Sequence, residues 1–157
     1  MITIPVPMKI SIQEDDFDIA EEVQRLRGDG NSTGAIVTFT GLVRDLEAKR
    51  KVHALTLEHY PGMTESSLEK IILQAQERWP IQNVTVIHRI GEMLAGEQIV
   101  MVAVASAHRQ AAFSACEFIM DFLKTKAPFW KKCRDEQGET WVEAKDSDID
   151  ASDRWQK

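Results

Sequence analysis

Ile99 to Ala105, IVMVAVA, is apolar at every position. A strand with one wet face alternates apolar and polar side chains, so an unbroken apolar run of this length predicts a central strand covered on both faces. That requirement constrains the rest of the chain, because other segments must supply a layer on each side of the sheet. Amphipathic helical stretches and further strands flank the run, which predicts an α+β domain with helices packed on a mixed or mostly antiparallel sheet.

Met8 to Gln13 alternates and reads as a short strand. Asp16 is placed to cap a helix carrying Ile19, Val23 and Leu26 at helical spacing, ended by Gly28 or Gly30. Gly34 to Arg44 is rich in β-branched residues and predicts a strand kinked at Gly41, followed by a charged loop from Asp45 to Lys51. Val52 to Tyr60 reads as another strand, turned by Pro61-Gly62. Thr64 opens a helix whose stripe of Leu68, Ile71, Ile72, Ala75 and Trp79 stops at Pro80. Val84 to Ile90 alternates as a strand, with a turn predicted over Gly91 to Gly96. The helix after the apolar run spans His108 to Lys124 and is broken by Pro128. Phe129 to Arg134 and Thr140 to Ala144 read as a hairpin, and the remainder, 145–157, as a polar, frayed tail apart from Trp155.

The 157 residues fit one domain with a buried core, 1–157. No apolar run is long enough to span a bilayer, and the N-terminus lacks the pattern of a signal peptide. The expected setting is cytoplasmic, with Cys116 and Cys133 reduced and in no metal spacing. A formal net charge of −6 argues against nonspecific nucleic-acid binding. Within this acidic chain Lys124, Lys126, Lys131, Lys132 and Arg134 crowd one short stretch without an acid among them. Such a gathering of cations suits an anionic ligand.

Arg44 ends a predicted strand, while His108 and Arg109 open a helix, where free backbone N–H groups and a guanidinium fork favour phosphate or carboxylate. The plainer alternative is that Arg109 pairs with a surface acid and His108 only caps. Lys124 and Lys126 close the same helix, where the dipole alone favours cations. Lys131 and Lys132 are adjacent on a strand and must point to opposite faces, so only one can join Lys124; Lys131 is the candidate if Trp130 and Lys132 face away. A lysine among other cations has its pKa lowered and can move a proton near neutral pH. His88 shares a face with Val84 and Val86 and reads as a satisfied core histidine. Cys116 reads as core, and Cys133, among cations, lacks a partner base.

At these residues the chain resembles the catalytic (large) subunit family of molybdopterin synthase. The resemblance rests on FTGLVRD (Phe39 to Asp45), LTLEHYPGMTE (Leu55 to Glu65), VTVIHRIGE (Val84 to Glu92), SAHRQAAF (Ser106 to Phe113), DFLKTKAPFWKK (Asp121 to Lys132) and WVEAKDSD (Trp141 to Asp148). It implies an α/β hammerhead-like core with an additional antiparallel β subdomain. It implies conversion of a cyclic pyranopterin monophosphate, precursor Z, to molybdopterin. Two sulfur atoms come from the thiocarboxylated C-terminal Gly-Gly of a small ubiquitin-like sulfur-carrier subunit, and a homodimer sits within a heterotetramer. It implies Lys124 and Lys131 as catalytic lysines. Substrate contacts are implied from backbone at Leu42 and Val43, from Arg44, His108 and Arg109, and at the site's edge from Lys132 and Cys133. No metal or organic cofactor is implied, since sulfur comes from the partner.

Cys133 stands where the family commonly has an acid, Thr140 where some members carry a basic residue, and the loop Glu47 to Arg50 lacks a glycine often seen there. Two other classes of function remain open from the residues: a noncatalytic module that docks an acidic tail, and a phosphate-binding enzyme that acts without a protein partner.

Overall fold

The computed structural model describes residues 4–28, 30–47, 50–51, 53–142 and 146–156. Three parts of the sequence reading lie outside them: the middle of the Glu47 to Arg50 loop, Val52 at the start of a predicted strand, and residues 143–145 of the last motif.

The first sheet is built from β1 (Met8–Gln13), β2 (Ala35–Leu42), β6 (Ile81–Arg89) and β8 (Gln98–Ser106), in the order β1-β6-β8-β2. β1 runs parallel to β6, and the other two pairings are antiparallel. β8 carries the apolar run and is an interior strand. Its Val100, Val102 and Val104 face the helices α2 (Met63–Arg78) and α3 (Arg109–Lys126), in one core with Leu68, Ile72, Phe118 and Ile119. Its Met101, Ala103 and Ala105 face α1 (Ile19–Arg27), in a second core with Leu26 and Ile87. The strand is apolar throughout because helices cover both of its sides.

Asp18, not Asp16, caps α1, accepting from the Glu21 N–H at 3.1 Å. Asp16 instead accepts from Gln98 Nε2 at 2.9 Å. Gly28, at φ 61°, ends the helix in a conformation that a side chain would disfavour. α2 ends at Trp79 and α3 at Ala127, both extended and both followed by proline. A proline ring excludes helical geometry from the residue before it. The kink expected at Gly41 is a register shift between Gly41 and Leu42, where a Cβ on Gly41 would lie 2.8 Å from Val100 Cγ1.

The second sheet, order β10-β9-β5-β7, is antiparallel throughout. It contains β5 (Ala54–His59), β7 (Gly91–Leu94), β9 (Phe129–Asp135) and β10 (Gly138–Val142). It is the additional antiparallel β structure implied by the resemblance, and the α+β reading holds. Two predicted connections differ. Gly91 to Leu94, expected as a turn, is a strand paired to β5, and the charged stretch contains the short pair β3 (Leu46–Glu47) and β4 (Arg50–Lys51). Both are too short to show a hydrophobic period.

The tail is also ordered where fraying was expected. Residues Asp146–Asp153 form α4, and Arg154–Gln156 a 3₁₀ turn. The Trp155 ring meets Trp79 and Phe118 edge-on, each at 5.5 Å between centroids. Its Nε1 donates to Asp121 Oδ2 at 2.7 Å, and Arg154 reaches the same oxygen at 2.9 Å. Trp155→Ala is expected to cost about 2 kcal/mol, less than a fully buried tryptophan because its ring is only partly covered. Urea denaturation of the two chains checks this.

Candidate functional site

α3 begins just past the end of β8 and folds back along it. Cys116, midway along the helix, donates its thiol to Val102 O, midway along the strand, at 3.6 Å. The two ends of α3 therefore sit at opposite ends of the sheet. His108 and Arg109, both exposed, lie at the end where Ser106 pairs with Ala35. Lys124 lies toward the other end, where Gln98 pairs with Leu42 and Arg44 follows. At 1.5 Å per residue, Arg109 and Lys124 are about 22 Å apart along the helix. A single chain thus brings Lys124 and Arg44 to one end of the sheet and leaves His108 and Arg109 at the other.

β9 brings Lys131 to the same end as Lys124. Its residues alternate across the second sheet. Phe129, Lys131 and Cys133 share the inner face, and Cys133 is 1% exposed in a core with Val43, Leu55, Leu57 and Met93. Lys132 points to the other face, where it meets Glu139 at 2.9 Å and lies over the Trp141 ring at 5.3 Å. Its ammonium is held above the usual lysine range, first by the hydrogen bond it donates to Glu139. Of the two lysines, Lys131 is the one on the inner face.

The structure gives the surroundings of three of the implied substrate contacts. Lys132 faces away from Lys131, as strand periodicity demands. The Cys133 side chain fills the second core. The Val43 N–H donates to Glu97 O at 2.9 Å, and its carbonyl accepts from Gly96 N at 2.7 Å, so its backbone is engaged by the neighbouring turn. Leu42, 55% exposed, and Arg44 remain open at the strand end. Neither cysteine is suited to act as nucleophile by exposure. Burial pushes the Cys116 thiol up to about 12.

Near Lys124 and Phe129 lies a histidine that the sequence assigned to the core. His88 is 5% exposed, its Nδ1 is 2.9 Å from Arg89 O, and its ring stacks on Phe129 at 4.0 Å between centroids. Burial lowers its pKa to about 4, with the charges of Lys124 and His59 acting in the same direction. The unfolded chain, with a histidine pKa near 6.5, binds a proton that the folded chain refuses. The stability present above pH 6.5 is lost as pH falls toward 4. His88→Phe keeps a stacked ring and is expected to reduce the stability lost between pH 7 and 4.5 by about 2 kcal/mol, measured by urea denaturation at both values.

The periodicity of the sequence did not single out His59 and Glu65. His59 pairs with Phe129 across β5 and β9 and so shares the inner face with Leu57 and Lys131. Its Nε2 lies 3.5 Å from Glu65 Oε1, and the other oxygen of Glu65 accepts from the Gly62 N–H at 2.6 Å. The two residues flank the Pro61-Gly62 turn, which was the available signal. Among the described residues, no group of three or more His, Cys, Asp or Glu is placed to hold a metal ion. No described helix is long and apolar enough to cross a membrane.

The model of a family described as MoaE protein matches residues 12–126. A protein of Vibrio cholerae named molybdopterin synthase catalytic subunit is 56% identical over 148 residues, spanning 94% of this chain and 98% of that protein. One of the same name from Escherichia coli K12 is 52% identical over 147 residues, spanning 94% and 97%. A solved structure titled molybdopterin biosynthesis MoaE protein from Burkholderia ambifaria is 50% identical, with a TM-score of 0.82 over 96% of this chain and 99% of that one. A molybdopterin synthase structure from Staphylococcus aureus is 31% identical, with a TM-score of 0.77 over 86% and 96%.

Proposed function

The chain belongs to the MoaE family and is a molybdopterin synthase catalytic subunit, a sulfur-transferring enzyme of molybdenum cofactor biosynthesis; from that premise we propose how its own residues carry the reaction. The observation that supports the reading is the convergence of Arg44, Lys124 and Lys131 at one end of the first sheet in a chain of net charge −6. The substrate's cyclic phosphate and the thiocarboxylate of the small sulfur-carrier subunit are both anions, and one basic cleft serves both. Lys124, at the helix end, handles proton transfer as sulfur moves to the pterin. Lys131 stabilises the anionic intermediates.

His108 and Arg109 are too far from Lys124 to serve the same substrate within one chain. In a homodimer they complete the partner copy's site, holding the phosphate while Arg44, Lys124 and Lys131 of the first copy face the reacting carbons. This assigns each site two chains and makes the central homodimer a requirement of catalysis. The carrier's C-terminal tail enters from outside, giving a heterotetramer with one carrier per catalytic chain. The 157 residues act as one domain in the cytoplasm, where the thiols stay reduced.

A single-tube conversion assay tests the reading. The chain, a thiocarboxylated small subunit and precursor Z are mixed, and molybdopterin is quantified as its fluorescent oxidation product. Product that depends on all three components supports it. A stable complex with the small subunit and no product would instead support the docking module.

A further inference from the structure

We infer that His59, oriented by Glu65, is a further acid–base residue of the sulfur-transfer site, acting on the water that releases the carrier. The inference rests on the reading above. Glu65 Oε1 is buried and makes no hydrogen bond, yet faces His59 Nε2 at 3.5 Å. The Gly62 N–H fixes the other oxygen of the carboxylate at the start of α2. An imidazole that meets a fixed carboxylate through one nitrogen presents the other as a base, which is the arrangement of an oriented general base.

His59 is placed to use it. It lies on the inner face of the second sheet, beside Phe129 and diagonal to Lys131. It and Lys124 both act electrostatically on His88, which stacks on Phe129. The titratable groups on the elements that meet there are Glu65 from α2, His88 from β6 and Lys131 from β9, with Lys124 from α3 acting on the same His88. The His59 side chain is 17% exposed, enough to meet a water and too little for a solvated surface pair.

The reaction needs such a group. Once a thiocarboxylate sulfur has bonded to a pterin carbon, it remains bonded to the carrier's acyl carbon. Release requires water: its oxygen bonds to the acyl carbon, the carbon–sulfur bond breaks, and the electron pair leaves with sulfur. His59 accepts one water proton and returns it to the sulfur as a thiol. The carboxylic acid formed on the carrier loses its proton to solvent. Water is the only co-reactant, and nothing is oxidised or reduced. Glu65 is a positioning residue in this step.

The experiment compares the wild-type chain, His59→Ala, His59→Gln and Glu65→Gln in complex with the thiocarboxylated small subunit and precursor Z. The expected loss in kcat for the His59 variants is about 10²-fold, with little change in KM for precursor. Intact-mass analysis is expected to find the small subunit as a pterin adduct in both. Added imidazole is expected to restore turnover in His59→Ala, and Glu65→Gln to lose about 10-fold. A packing role for His59 would produce neither adduct nor imidazole rescue, and that result overturns the inference. So does His59→Gln turnover within twofold of wild type. If the wild-type chain itself converts no precursor, the underlying reading fails and the inference falls with it.

Discussion

Lys124→Ala is expected to abolish molybdopterin formation, with a loss of roughly 10³-fold or more, while the chain stays folded. Lys124 is exposed on the last turn of α3, so truncating it removes little packing. The nearby core of Phe118, Ile119 and Leu123 is untouched, and stability is expected to change by no more than about 0.5 kcal/mol. Lys124→Arg separates two roles for the side chain. Arginine keeps the positive charge but does not release a proton near neutral pH. If proton transfer is the task, both variants are inactive; if charge alone suffices, Lys124→Arg retains much of the rate. Conversion assayed beside thermal denaturation checks both points, and near-wild-type activity in Lys124→Ala would remove that residue from the mechanism.

The second large effect follows from the length of α3. Lys124→Ala and Arg109→Ala homodimers are each expected to be impaired, because every site lacks one of the two groups. A dimer carrying one chain of each kind has one site with both defects and one with neither. Isolated through two different affinity tags, this mixed dimer is expected to recover about half of the wild-type rate, as two-fold symmetry requires. If both groups served the same chain's site, each site of the mixed dimer would keep one defect and nothing would be recovered. Activity no higher than that of the better homodimer would therefore refute the shared site.

These outcomes rest on features read at two different levels. The apolar run in β8, the stripe of α2 and the proline stops after Trp79 and Ala127 depend on residue periodicity and on the steric reach of a proline ring, both local properties of the chain. The order of motifs was enough to identify the family, and the resemblance implied Arg44, Lys124 and Lys131 as site residues. Strand periodicity also required Lys131 and Lys132 to part company. Which of the two faces inward was decided by the pairing of β9 between β5 and β10, which seats Cys133 in a core and leaves Lys132 to Glu139.

Tertiary structure alone decided the rest, because the contacts concerned join distant segments. β7 becomes a strand only because β5 lies beside it, and the tail becomes helical over α3, where Trp155 finds Trp79, Phe118 and Asp121. The length of α3 holds Arg109 away from Lys124, and its fold back along β8 sets Lys124 at the end of the sheet where Leu42 and Arg44 lie. The Pro61-Gly62 turn aims Glu65 at His59. The sequence by itself determined most of the segments that form elements and which chemistry the chain performs, since periodicity and motif order are written in one dimension. The directions of those elements, and hence which charged groups meet, were set by packing between layers that no local window contains.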